Sequence, residues 1–272
     1  MKKYVMFLAL FLVTACAVSP TGRRQLMLVS PDQAISASQS AYVQTLEPLK
    51  KSGRLDSSPQ TSERVRRITG KIIAQAIQLF PETTNWQWDV RVIDDPKTIN
   101  AWCMAGGKMA VYTGLLIAVK PTDDELAQVM GHEISHAIAN HTAEKMSVAL
   151  ASQIGLSTVA MISGGTTGSN ATLAGAELAA GLAVQLPNSR TAEEEADKIG
   201  IELAARAGYD PRAAVTLWRK MNEAGNSDVP EFLSTHPNPM NRISTLQDLA
   251  PGMMPFYEEV KERPIYQFSN FE

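Results

Sequence analysis

The chain of 272 residues has two cysteines, Cys16 and Cys103, and only four histidines. Two cysteines allow at most one bridge within the chain, which excludes a disulfide-stapled scaffold. Basic residues are no more abundant than acidic ones: the formal net charge is −3, and no basic stripe appears, so nucleic acid is excluded as a partner. Long hydrophobic runs are also lacking. The stretch Val148 to Ile162 is broken by Ser152, Gln153, Gly155, Ser157 and Thr158 and falls short of the roughly 20 residues of a spanning helix. No internal repeat is visible, which excludes a tandem helical array. What remains is a composition 44% apolar, enough to bury a sizeable core, most simply as one domain with an N-terminal extension.

Polar, turn-rich stretches at Ser19–Gly22 and Ser52–Pro59 mark residues 16–60 as that extension, with helical signals over 31–50. From 61 to 79, Val65, Ile68, Ile72, Ile73 and Ile77 recur at helical spacing and predict a core helix that Pro81 ends. Trp86 to Val92 alternates like a half-buried strand, and Lys108 to Thr113 fits a second strand after the turn Ala105-Gly106-Gly107. Asp210-Pro211 starts a later helix with Ala214, Leu217, Trp218 and Met221 on its apolar face. Residues 251–272 interleave Pro251, Pro255 and Pro264 with aromatics and are expected to dock as an extended tail. The fold class is α+β, mostly helical, with a small β-sheet and a domain spanning 61–250.

The chemistry sits in His132-Glu133-Ile134-Ser135-His136. H-E-x-x-H on a helix sends both imidazoles from one face, one turn apart, a spacing that suits zinc at about 2.0–2.1 Å per nitrogen. Glu133, beside the first ligand, is placed to act as general base on the water. The pattern alone arises by chance in roughly one chain in a hundred of this length. Its context is more specific. Thr122 and Glu125 form a capping box, and Leu126, Val129 and Met130 give the apolar stripe behind it, so the motif falls mid-helix at the centre of the domain.

A catalytic zinc site needs a third protein ligand. The metzincin pattern H-E-x-x-H-x-x-G-x-x-H is not met, because Ala139 and Thr142 stand at its last two positions. His141 lies about 180° around the helix from His132 and is excluded while the helix continues. Downstream, Ser189-Arg190-Thr191-Ala192-Glu193-Glu194-Glu195-Ala196-Asp197 reads as a helix start whose acidic turn also complements the helix dipole. Glu193 and Asp197 share a face at i and i+4, so Glu193 is the better candidate ligand and Asp197 the residue that orients a histidine. Glu194 and Glu195 point away from that face and are poorer choices.

These residues resemble the gluzincin metalloproteases that include HtpX and the CAAX prenyl proteases. The resemblance covers roughly residues 60–250 and rests on His132–His136, on Ser189-Arg190 through Glu193 to Ala196-Asp197, and on Ser234-Thr235-His236-Pro237 with Asn241-Arg242. It implies a zincin-like fold and one zinc ion per chain held by His132, His136 and Glu193, with Glu133 as base. It further implies His236 or Arg242 as a stabiliser of the oxyanion. An active-site edge strand is implied in Asn100–Leu115, with Met109, Ala110, Val111 and Tyr112 as substrate contacts, although Ala105 stands where relatives often have Pro.

The chain begins Met1-Lys2-Lys3 and then runs apolar to Val13-Thr14-Ala15-Cys16. This resembles a lipoprotein signal of residues 1–15, cleaved so that Cys16 carries the lipid, with Ala17 after it pointing to the outer membrane. Within the resembling family, that places the chain with the small bacterial outer-membrane lipoprotein proteases. The expected function is zinc-dependent hydrolysis of unfolded or misassembled envelope proteins at the periplasmic face. The alternative is a chaperone-like assembly factor with a latent metal site. The uncharged stretch between Lys145 and Glu177 is expected as a buried or membrane-leaning helix followed by the loop Gly164–Asn170, placed as a lid.

Overall fold

A computed structural model describes residues 16–162, 187–224, 231–236, 239–259 and 262–269. The signal segment 1–15, the loop Gly164–Asn170 and the uncharged stretch beyond Ile162 lie outside them. Helix starts follow local chemistry. In α1 (Pro31–Lys51), Ser30 and Gln33 form a reciprocal capping box ahead of Pro31. In α2 (Pro59–Leu79), the Ser58 side chain accepts the Thr61 N–H, and Val65, Ile68, Ile72 and Ile73 are wholly buried. The chain then passes through a short 3₁₀ turn, Pro81–Thr83, into the sheet.

That sheet has three strands: β3 (Asp89–Ile93), β4 (Ala101–Met104) and β5 (Lys108–Tyr112), in the order β3-β5-β4. β3 and β5 are parallel, while β5 pairs antiparallel with β4. The Gly106-Gly107 turn needs its glycines. Both have φ +76°, and a Cβ on Gly107 would stand 2.1 Å from the Trp88 ring. The half-buried strand expected from Trp86 to Val92 is corrected to a strand buried on both faces. Its polar side is covered by α1, and Asp89 and Arg91 are paired there: Arg91 pairs with Asp89 and Asp56, and the Tyr42 hydroxyl donates to Asp89.

After the sheet come α3 (Thr113–Val119), α4 (Asp123–Ile138), α5 (His141–Ile162), α6 (Arg190–Arg206), α7 (Ala213–Ala224), α8 (Glu231–Thr235) and α9 (Pro239–Glu258). α4 is central and almost entirely buried, with the Thr122–Glu125 capping box at its start. Its closest neighbour is α6. Gly131 meets Gly200 backbone to backbone, and a Cβ on Gly131 would stand 2.7 Å from the Gly200 carbonyl oxygen. This approach brings the first turn of α6 beside the metal-motif turn of α4.

The N-terminal segment is seated on the core. Strands β1 (Cys16–Val18) and β2 (Arg24–Leu26) form an antiparallel hairpin, and α1 packs Ala34, Tyr42 and Leu46 against Trp102, Met104 and Ala110. The extended tail expected from residue 251 is corrected as well. α9 continues through Pro251 and Pro255 to Glu258, with both prolines exposed and with Leu246 and Ala250 buried on its inner face. Residues 262–269, in neither helix nor strand, are joined to α2 by the Tyr266 N–H donating to the Gly70 carbonyl. Among the described residues no helix is long and apolar enough to cross a membrane.

Candidate metal centre

Spacing on α4 sends His132 and His136 from one face, and their Nε2 atoms lie 3.0 Å apart. The first turn of α6 adds Glu193, whose carboxylate oxygens stand 3.3 Å from His132 Nε2 and 3.3 Å from His136 Nε2. Tetrahedral zinc with bonds of about 2.0–2.1 Å separates its ligands by roughly 3.3–3.4 Å. These three donors therefore already stand at the separations of a zinc site. All three are buried, and lone pairs of two imidazoles and a carboxylate converge on one point, an arrangement a cation satisfies.

The fourth corner is held by His236. Its Nδ1 lies 3.2 Å from His132 Nε2 and 3.0 Å from Glu193 Oε1, and His132, His136, Glu193 and His236 place ligand atoms within 4.8 Å of one another. The His236 ring is stacked on Phe232, with ring centroids 4.4 Å apart. Its Nε2 lies 3.4 Å from Glu133 Oε1, and that oxygen has no hydrogen-bond partner. Burial pushes the Glu133 carboxyl up from its ordinary value, which suits a group that takes and returns a proton. Beside it is a cavity of about 30 Å³, bordered by Glu133, His136, His236, Cys103, Lys145 and Asn188. That volume holds about two waters and is far too small for a peptide.

Behind the donors, Asp197 Oδ1 lies 3.1 Å from His132 Nδ1, so the Nδ1–H faces a carboxylate while Nε2 faces the metal point. Arg242 lies on this rear side, away from the cavity. It donates to Asp197 Oδ2 at 2.7 Å and to Glu193 Oε2 at 2.6 Å, with its guanidinium 3.8 Å over the Trp218 ring. The expected oxyanion role of Arg242 is thereby corrected: its donors are spent on two buried carboxylates. Burial opposes ionisation of Glu193 and Asp197, but the cations around them outweigh it and hold both carboxyls below their ordinary values. Burial and Arg242 push His132 down, yet Glu193 and Asp197 prevail and raise it to about 9.

The substrate strand needs a second correction. β5, with Met109, Ala110, Val111 and Tyr112, is paired on both sides and offers no edge. The strand at the sheet edge nearest α4 is β4, whose Ala101, Trp102 and Cys103 border the cavity. Two further residues escaped the sequence reading. α4 stops at Ile138, Asn140 turns left-handed at φ 56°, and His141 is thrown back toward the site, its Nδ1 2.7 Å from His136 Nδ1. Glu195, set aside as a ligand, lies 3.1 Å from His141 Nε2. Asn140 was the available signal, because asparagine is among the few residues that tolerate this helix-ending conformation.

Paired histidines from one helix, a glutamate from a second and an orphaned carboxylate oxygen beside them define the H-E-x-x-H class of zinc metallopeptidases. Sequence comparison makes the assignment narrower. The chain belongs to peptidase family M48, whose family model matches residues 59–250. It is 33% identical to the mitochondrial metalloendopeptidase OMA1 of Bos taurus over 279 residues, covering 97% of this chain and 52% of that protein. Over 162 residues it is 40% identical to the mitochondrial metalloendopeptidase OMA1 of Arabidopsis thaliana, covering 58% of this chain and 31% of that protein. It is also 33% identical over 168 residues to the beta-barrel assembly-enhancing protease of Yersinia pestis, covering 58% of this chain and 33% of that protein. The chain thus spans about half or less of the length of these relatives.

Proposed function

We propose that the chain is a zinc-dependent endopeptidase acting on unfolded or misassembled proteins of the bacterial envelope. The observation that carries this is the unpartnered Glu133 oxygen beside three converging donors and a water-sized cavity. Zinc held by His132, His136 and Glu193 would supply Lewis acidity, lowering the pKa of a water toward neutrality and polarising the scissile carbonyl. Glu133 takes the proton from that water and passes it to the leaving amine. His236, facing Glu133 and the cavity, donates to the oxygen that becomes negative. An extended substrate adds alongside β4, at the sheet edge, where main-chain hydrogen bonds give affinity with little side-chain selectivity.

Cys16 as a lipid anchor at the outer membrane is supported by the basic and then apolar sequence ahead of it. The name of the Yersinia pestis relative, a beta-barrel assembly-enhancing protease, supports an envelope substrate. Incorporation of labelled palmitate that is lost in Cys16→Ala, with fractionation of the membranes, tests the anchor. A second reading is favoured by His236 standing at the fourth corner: a chaperone-like assembly factor whose metal site is latent.

Proteolysis of an unfolded reporter protein by the full chain, with zinc measured on the same sample, decides between them. Glu133→Gln is expected to keep its zinc and to lose about 10²–10⁴-fold in rate. Equal zinc in both, with cleavage by neither, overturns the endopeptidase reading in favour of the latent one.

A further inference from the structure

His132 and His136 are oriented from behind by different devices. His132 has Asp197 at 3.1 Å; for His136 the group behind Nδ1 is another histidine. Because His136 turns Nε2 to Glu193, its hydrogen belongs on Nδ1, which faces His141 Nδ1 at 2.7 Å. His141 Nδ1 must then accept, so its own hydrogen sits on Nε2, 3.1 Å from Glu195 Oε2. One chain of donors and acceptors runs His136, His141, Glu195, and it ends on a buried carboxylate. The same carboxylate is gripped by the N-terminal hairpin. Thr21 Oγ1 donates to Glu195 Oε1 at 2.6 Å, and Arg23 Nε to Oε2 at 2.9 Å. Arg23 also forks onto Glu144 at 2.7 and 2.6 Å. From the next strand, Gln25 donates to the Ala139 carbonyl at 2.7 Å, at the very turn that swings His141 inward.

We infer that His141 and Glu195 are positioning residues for the metal ligand His136, and that Thr21, Arg23 and Gln25 of the hairpin hold this relay in place. The hairpin is thereby a working part of the metal centre, although it lies outside the segment matched by the family. Metal ligands lose affinity when the group behind them is removed, because tautomer and ring orientation are no longer set. A clamp that only stabilised the fold would lower the melting temperature and leave zinc affinity and ligand geometry alone.

This rests on zinc being held by His132, His136 and Glu193. The test is zinc affinity of the full chain in detergent, measured against a chromophoric chelator, together with the visible bands of the cobalt-substituted protein. His141→Ala is expected to weaken zinc about 10–100-fold and shift the cobalt bands, with His141→Gln, which keeps an acceptor, losing less. Glu195→Gln and the remote Arg23→Ala should weaken zinc in the same direction, whereas Arg24→Ala, at the exposed next residue, should not. If Glu195→Gln and Arg23→Ala bind zinc like the wild type with unchanged bands, the relay is overturned, whatever happens to their melting temperatures and whether or not His141→Ala folds. Wild type that binds no zinc would instead overturn the metal-centre reading beneath it.

Discussion

Arg242 shows how a single side chain can decide whether a buried site is affordable. Glu193 and Asp197 are both ionised and nearly inaccessible, and each is met by the same guanidinium. Removing it leaves two carboxylates uncompensated in the interior. Arg242→Ala is therefore expected to cost about 3–5 kcal/mol, read by denaturant unfolding of the metal-free protein. Arg242→Lys keeps the charge without the fork and should lose most of this too, since one ammonium cannot serve both carboxylates in plane. Glu195 carries a pH signature. Burial alone would raise its carboxyl, but hydrogen bonds from His141, Thr21 and Arg23 outweigh burial and hold it well below the usual range. A folded value below the unfolded value of about 4.3 adds stability that is present above that pH and lost as pH falls toward the folded value. An acid titration of stability should be steeper in wild type than in Glu195→Gln across that window; identical curves would refute the coupling.

At the scale of elements, the pairing of α4 with α6 sets the geometry of the site. The two helices touch through glycine because nothing larger fits: a Cβ on Gly200 would meet the His132 backbone nitrogen at 2.8 Å. Gly200→Ala must separate the helices, moving Glu193 and Asp197 away from His132. A loss of roughly 1–3 kcal/mol in stability is expected from the overpacking, accompanied by weaker zinc binding. A stability loss with unchanged zinc affinity would mean that the crossing is structural only. The helices themselves were legible in the sequence through Thr122–Glu125, Ser189 and the apolar spacing from Val65 to Ile77. The course of α9 was not, because a proline costs a helix one hydrogen bond and a clash with the preceding turn, and whether the helix carries on past it depends on packing such as that of Leu246 and Ala250, which local pattern does not show. Nor was the place of β5, since its period-2 pattern says nothing about how many partners a strand has.

For the whole molecule, the apolar core is built without the metal. One cluster joins α2, the sheet, α4, α6 and α7, a second seats α1 on the sheet, and Arg242 already offsets the acidic ligands. Chelation is thus expected to abolish proteolysis while the chain keeps its helical circular dichroism and a cooperative melt. The stability lost is the binding term, about 2.7 kcal/mol when free zinc had been a hundredfold above its dissociation constant. Unfolding on chelation would make the ion structural instead.

Local rules alone determined the parts of this protein that act within one turn or one strand: the caps of α4 and α6, the one-face geometry of His132 and His136, and the shared face of Glu193 and Asp197. Tertiary structure alone decided what lies behind them. It placed Arg242 at the rear of the ligands, turned His141 onto His136, tied Glu195 to a hairpin some 170 residues earlier in the chain, and put β4 at the sheet edge in place of β5. The reason is physical. Periodicity and capping are hydrogen-bond and steric effects between near neighbours, whereas the partner of a buried charge is chosen by which distant surfaces close upon it, and that choice exists only once the core has packed.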